Sequence, residues 1–161
     1  MAACATVPAP QPLPELSSAP AAFEACGRLA VRQGQRSDIA KLRWTRHRGS
    51  DLWVISSPLG NEVARVESGA GGATLTRAGA ASESAASFRD LTEKLLGVPL
   101  DPDAIASWLH GGTPGAAPGD WQVTIDESQR AGRVDLAKRI TATRGDVVVK
   151  LVVDEYRALE D

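Results

Sequence analysis

The sequence predicts a mainly β domain in which an antiparallel meander curls toward a barrel and two short helices pack into its concave side. Three observations predict it. Short runs of alternating apolar and polar residues recur from Phe23 to Ala78, with turn residues between them. Two amphipathic helical segments then interrupt the pattern. Strand-like runs resume at Trp121 and continue to Val153.

The first strand is Arg28-Leu29-Ala30-Val31-Arg32, with Leu29 and Val31 on one face. Ala40, Leu42 and Trp44 alternate with Lys41, Arg43 and Thr45 in the second. Leu52 to Ile55, a β-rich run containing Trp53, is the third. Val63 to Val66 and Ala73 to Arg77 follow. Gln33-Gly34, Arg48-Gly49-Ser50, Pro58-Leu59-Gly60 and Ser68 to Gly72 supply the turns between them. The glycines at 69, 71 and 72 lack the spacing of a phosphate-binding loop and precede no helix, so a hairpin turn accounts for them. A helix over Ala85 to Leu96 gathers Phe88, Leu91, Leu95 and Leu96 on one face and stops at Gly97 and Pro99. A second starts with Asp101 as N-cap and Pro102 at its first position. It carries Ile105, Trp108 and Leu109 and ends at Gly111-Gly112. The last strands are Trp121 to Ile125, Leu136 to Thr143 and Val147 to Val153.

The 161 residues suit one domain, 23–161, behind a tether at 1–22. A formal net charge of -2, with arginines scattered along the strands, argues against a nucleic-acid partner, which needs a clustered basic surface. The two cysteines and two histidines show no metal-ligand spacing, and no cofactor or metal is expected. There is no G-x-S-x-G nucleophile motif, and no catalytic residue is assigned. No apolar run is long enough to span a bilayer, and no charged and apolar signal segment is present.

Met1-Ala2-Ala3-Cys4 looks like the end of a bacterial lipobox, with small residues before a cysteine whose thiol accepts a diacylglycerol. Met1 stands where that motif has leucine, as if an upstream signal peptide had been trimmed. Acyl chains at Cys4 would anchor the chain, each buried methylene contributing roughly 0.8 kcal/mol. Val7 to Pro20, rich in proline and alanine, reads as an extended spacer between anchor and domain. Cys26 is then a single thiol, expected as a small buried side chain.

Taken in order, several segments resemble the LolB family of outer-membrane lipoprotein receptors. They are Gly27-Arg28-Leu29-Ala30-Val31, Trp44, Ser57-Pro58-Leu59-Gly60, Leu95 to Leu100, Trp108-Leu109-His110-Gly111 and Pro114-Gly115. The resemblance covers Gly27 to about Gly115 and continues more weakly from Trp121. It implies an incomplete, strongly curved antiparallel β-barrel with a helical lid over an apolar cavity. It implies a lipid-anchored protein on the periplasmic face of the outer membrane. Such a protein takes acylated lipoproteins from a LolA-type periplasmic carrier and releases them into the inner leaflet without ATP. The chain departs from the family where proline breaks the usual N-terminal helix, and between Gly115 and Trp121, where it looks shortened. A smaller or more open barrel is expected.

On this resemblance Cys4 is the lipid attachment site. Trp44, Trp53, Ile55, Leu91, Leu95 and Trp108 line the acyl-chain cavity or its lid, although each is equally explained as ordinary core. Leu59 is the membrane-inserting residue, at the tip of a turn shaped by Pro58 and Gly60; the alternative is a leucine tucked under its own turn. Three other readings remain: a related lipid-handling protein such as a LolA-like carrier, a structural lipoprotein holding no lipid, or an enzyme using His47 or His110 as base. Both histidines are expected on the surface.

Overall fold

The computed structural model describes Leu16, residues 19–111 and residues 121–159. Nine strands form a single antiparallel sheet: β1 (Ala22–Gln33), β2 (Arg36–His47), β3 (Ser50–Ser56), β4 (Glu62–Gly69), β5 (Gly72–Arg77), β6 (Glu83–Ala85), β7 (Gln122–Ala131), β8 (Val134–Arg144) and β9 (Val147–Ala158). Their spatial order is β6-β5-β4-β3-β2-β1-β9-β8-β7. Two meanders, β1 to β6 and β7 to β9, therefore join through the β1–β9 pair. The outermost strands β6 and β7 are not paired with each other, so the sheet is curved but unclosed. This is the incomplete barrel that the sequence predicts.

Alternation does most of the work. Along β2 and β3, Leu42, Trp44, Trp53 and Ile55 are buried while Lys41 and Arg43 are exposed. The register puts Trp44 opposite Trp53 and Leu42 opposite Ile55. Tight turns hold that register. Between β2 and β3, Arg48 and Gly49 both have positive φ, 43° and 83°, as a two-residue hairpin turn with the strand's own twist demands. Between β1 and β9 the register shifts, Cys26 facing Glu155 and Gly27 facing Val153, which leaves Asp154 as an extra residue. Such a bulge bends the strand and steepens its twist. Gly27 permits it: a Cβ there would lie 1.8 Å from the Val152 carbonyl oxygen. Arg28 reaches back to the bulged Asp154 through two 3.2 Å bonds.

Helices α1 (Phe88–Leu96) and α2 (Pro102–Leu109) carry the chain from one open edge of the sheet to the other. Ser87 caps α1 by accepting from the Asp90 N–H, and Gly97 closes it in the left-handed region. Asp101 caps α2 by accepting from Asp103 N–H at 3.0 Å, with Pro102 in the first turn. Thr92 ties α1 to the segment that leads into α2: its hydroxyl oxygen accepts from Leu100 N–H at 2.7 Å. Helix α1 packs on β4, β5 and β6, and α2 on β8. Their apolar faces close over one core cluster that draws on the larger strands and both helices.

Three details differ from the sequence-based expectation. Ala85 belongs to the short strand β6, and α1 starts only at Phe88, because Ser87 is the cap. β7 continues from Ile125 to Ala131, and β8 starts at Val134, forming a long hairpin. Asp126 and Lys138 are skipped in its register, so the apolar alternation that marks a strand lapses there. Cys26 is half-buried on the convex face beside Arg28 and Arg43 rather than in the core, because alternation from Ala25 turns it outward.

Candidate functional site

The concave interior is built around two adjacent tryptophans. Trp44 on β2 and Trp53 on β3 face each other across the ladder, ring centroids 5.8 Å apart at 66°. Phe88, the first residue of α1, stacks edge-on against Trp53 at 4.9 Å. Phe23 does the same to Trp44 at 5.0 Å. Ile55 and Leu91 are buried in the same cluster, and Leu95 packs half-buried against it. Trp108 of α2 lies farther round the sheet, edge-on to Trp121 at 6.0 Å. The helices are seated on the sheet and the interior is filled. A cleft of about 70 Å³ reaches Trp108 between Leu100, Trp121 and Arg144. Four principal clefts among the described residues are not lined by Trp44, Trp53, Ile55 or Leu91, each of which is buried.

Polar groups fasten the helices at one end. The Trp44 Nε1–H donates to Asp51 Oδ1 at 2.7 Å, and Arg46 Nη1 donates to both oxygens of that carboxylate at 3.1 Å. The other amino group of Arg46 reaches Asp103 in the first turn of α2. Burial works against the charge of Arg46, but Asp103 and Asp51 outweigh it and raise its pKa above the usual value. Burial also holds the Asp51 carboxyl above its ordinary range, against the opposing bonds from Trp44 and Arg46. A second fastening closes α2. His110 Nδ1–H donates to Ala106 O at 2.8 Å, and Nε2 accepts from the Tyr156 hydroxyl at 2.7 Å. A carbonyl can only accept, which assigns the ring proton to Nδ1. Burial, aided by the Arg46 charge, lowers the His110 pKa. His110 is therefore buried, contrary to its expected surface position, because the end of α2 turns it onto Phe23 and Tyr156. His47 is exposed.

The loop between β3 and β4 is a different kind of site. Gly60 N–H donates to Ser57 O and Ser57 N–H to Asn61 O, both at 2.8 Å, which makes Ser57–Gly60 a β-turn with Pro58 at its second position. Leu59 stands at its tip and is 90% exposed, so it is not tucked under the turn. Ile39 and Val63 are the other exposed large hydrophobics among the described residues. Both are close to this loop: Lys41, two residues beyond Ile39, pairs with Ser56, and Val63 is the residue skipped opposite Ile55 and Ser56. Apolar exposure is thus concentrated at one end of β2 to β4.

The family profile described as "Outer membrane lipoprotein LolB" matches residues 21–120. The chain belongs to the LolB family. An outer-membrane lipoprotein LolB from Chromobacterium violaceum is 30% identical over 169 residues, covering 98% of this chain and 93% of its own length. One from Azoarcus sp. strain BH72 is 26% identical, with 99% and 91% covered. Among solved structures, a DUF1329 family protein from Desulfovibrio piger shares the fold, with a TM-score of 0.59 over 86% of each chain at 9% identity. The LolB family serves outer-membrane lipoprotein localisation. Of the residues read from the sequence, Trp44, Trp53, Ile55 and Leu91 share the core cluster of this LolB domain, and Leu95 of α1 packs against it. Trp108, on α2, belongs to the same cluster but packs edge-on against Trp121, Leu59 is on the outside, and Cys4 lies outside the described residues. Of Arg46, Asp51 and Asp103, only Asp51 carries a signal in the sequence, as a carboxylate in alternation with Trp53 and Ile55.

Proposed function

We propose that this LolB-family protein accepts acylated lipoproteins from a LolA-type carrier beneath α1 and α2 and releases them into the inner leaflet of the outer membrane, without ATP. In this reading Cys4 carries the lipid anchor, and Trp44, Trp53, Ile55, Leu91, Leu95 and Trp108 line the interior that receives the acyl chains. The observation that supports it most is the unclosed sheet whose apolar concave side is covered by two short helices. Lifting α1 exposes Phe88, Leu91 and Leu96, at about 1.5–3 kcal/mol each. An acyl chain of about fifteen methylenes, at roughly 0.8 kcal/mol each, outweighs that cost. The helices re-seat when the chain leaves, so part of the stabilisation withheld on loading is recovered on release. That bias points from receiver to bilayer, where no lid has to be held open, and it requires burial energy alone.

The filled interior also suits a structural lipoprotein that holds no lipid. A transfer assay separates the two. The folded protein is mixed with a LolA-type carrier loaded with a lipoprotein, and then with liposomes. Uptake into a stable complex followed by delivery is the expected result. No uptake by folded protein favours the structural reading.

A further inference from the structure

The indole of Trp53 is 1% exposed, and its Nε1–H has no hydrogen-bond partner. Buried donors are nearly always satisfied, and an orphan calls for an explanation. The adjacent indole shows that this fold can satisfy one: Trp44 Nε1–H is held by Asp51 at 2.7 Å. The buried polar side chains Asp51, Thr92 and His110 are likewise all bonded. Trp53 instead lies between Trp44, Phe88 of α1 and its β4 partner Val66, none of whose side chains offers a lone-pair acceptor. A phenylalanine would fill much of the same space with no donor to strand.

We infer that the Trp53 indole N–H is a lipid-binding donor that takes an ester carbonyl oxygen of an acylated ligand when α1 lifts. The inference rests on the proposed loading of acyl chains beneath the helices and adds a polar recognition point to it. Hydrocarbon supplies burial but no orientation, since apolar contact is non-directional. A single donor in an apolar chamber fixes where the head of the lipid stops. The seated state satisfies the apolar surface but not this N–H; the loaded state satisfies both. The chemical class it selects is an O-acyl glycerolipid, as a diester and not as a diether.

The test compares dipalmitoylglycerol with dihexadecylglycerol, which differ in the ester carbonyls, on the full chain and on Trp53→Phe. The wild type is expected to bind the diester about three- to tenfold more tightly, the range of one neutral hydrogen bond. Trp53→Phe, confirmed folded by circular dichroism, is expected to bind both equally. A second readout uses the wild type alone: of the four tryptophan indole cross-peaks, that of Trp53 moves downfield with the diester and not with the diether. Equal binding of both lipids by wild type, or a preference that survives in Trp53→Phe, overturns the donor role while leaving acyl loading intact. Failure of wild type to bind either lipid overturns both.

Discussion

Trp44 and Asp51 are joined across the β2–β3 hairpin by a 2.7 Å bond from indole to carboxylate, in a place where the Asp51 side chain is 2% exposed. That carboxylate orients Arg46, whose other amino group holds Asp103 at the start of α2. One buried acid thus links the aromatic interior to the helix above it.

Removing the cation from this chain tests it. Arg46→Leu leaves Asp51 buried without its counter-charge, and breaking a buried pair from one side costs about 3–5 kcal/mol. Arg46 is itself only 15% exposed, so solvent screening is weak. Asp103→Asn touches the exposed end, 73% accessible, and is expected to cost less than about 1 kcal/mol. Urea denaturation of the two variants measures the difference. Comparable losses in both would show that the buried pair does not dominate.

The same end of α2 carries a pH dependence. His110 is neutral in the fold, with its pKa lowered by burial and by the nearby Arg46 charge, while the Ala106 carbonyl opposes the shift. A group with a depressed folded pKa contributes stability that is complete above its unfolded value, about 6.5, and is lost as pH falls below it. Thermal midpoints are therefore expected to hold steady from pH 8 to about 7 and then decline toward pH 5. His110→Gln is expected to flatten that decline. A variant that keeps the full slope would assign it to other groups.

The β architecture was legible because the strands facing one core alternate cleanly, as in Leu29 and Val31 or Trp44 and Leu42. The start of α2 was legible because Asp101-Pro102 is a local signal. What escaped depends on contacts between distant segments. Nothing near His110 in sequence announces Tyr156, 46 residues away, and nothing near Arg46 announces Asp103, 57 residues away. β6, three residues long, carries too little pattern to be seen, and the β7–β8 hairpin hides its alternation behind two bulges. For the interior, composition could name the apolar residues but not say whether helices sit on them; the structure shows them seated.

Gly27 is expected to tolerate no side chain. In Gly27→Ala the new Cβ meets a backbone carbonyl, not a flexible side-chain end, so β1 or β9 must move. Overpacking of this kind costs about 1–3 kcal/mol and sometimes more. Because β1–β9 is the seam between the two meanders, the loss should appear as a cooperative drop in thermal midpoint. A midpoint unchanged within error would mean that the bulge relaxes freely.

Leu59 is expected to separate function from stability. Its side chain is 90% exposed, and the hydrogen bonds that shape its turn come from Ser57, Gly60 and Asn61. Leu59→Glu should therefore shift folding stability by no more than about 0.5 kcal/mol. At a bilayer the balance differs, because one leucine entering the apolar layer gains roughly 1.5–3 kcal/mol. That is about a 10- to 150-fold effect on membrane partition. Replacing it with a carboxylate removes the gain and adds a desolvation cost. Loading from the carrier should stay near wild type while delivery to liposomes falls at least tenfold, read by flotation of the released lipoprotein. If delivery proceeds at the wild-type rate, the loop is not the membrane contact. Ile39 and Val63, exposed near the same end of the sheet, would then be the next residues to replace.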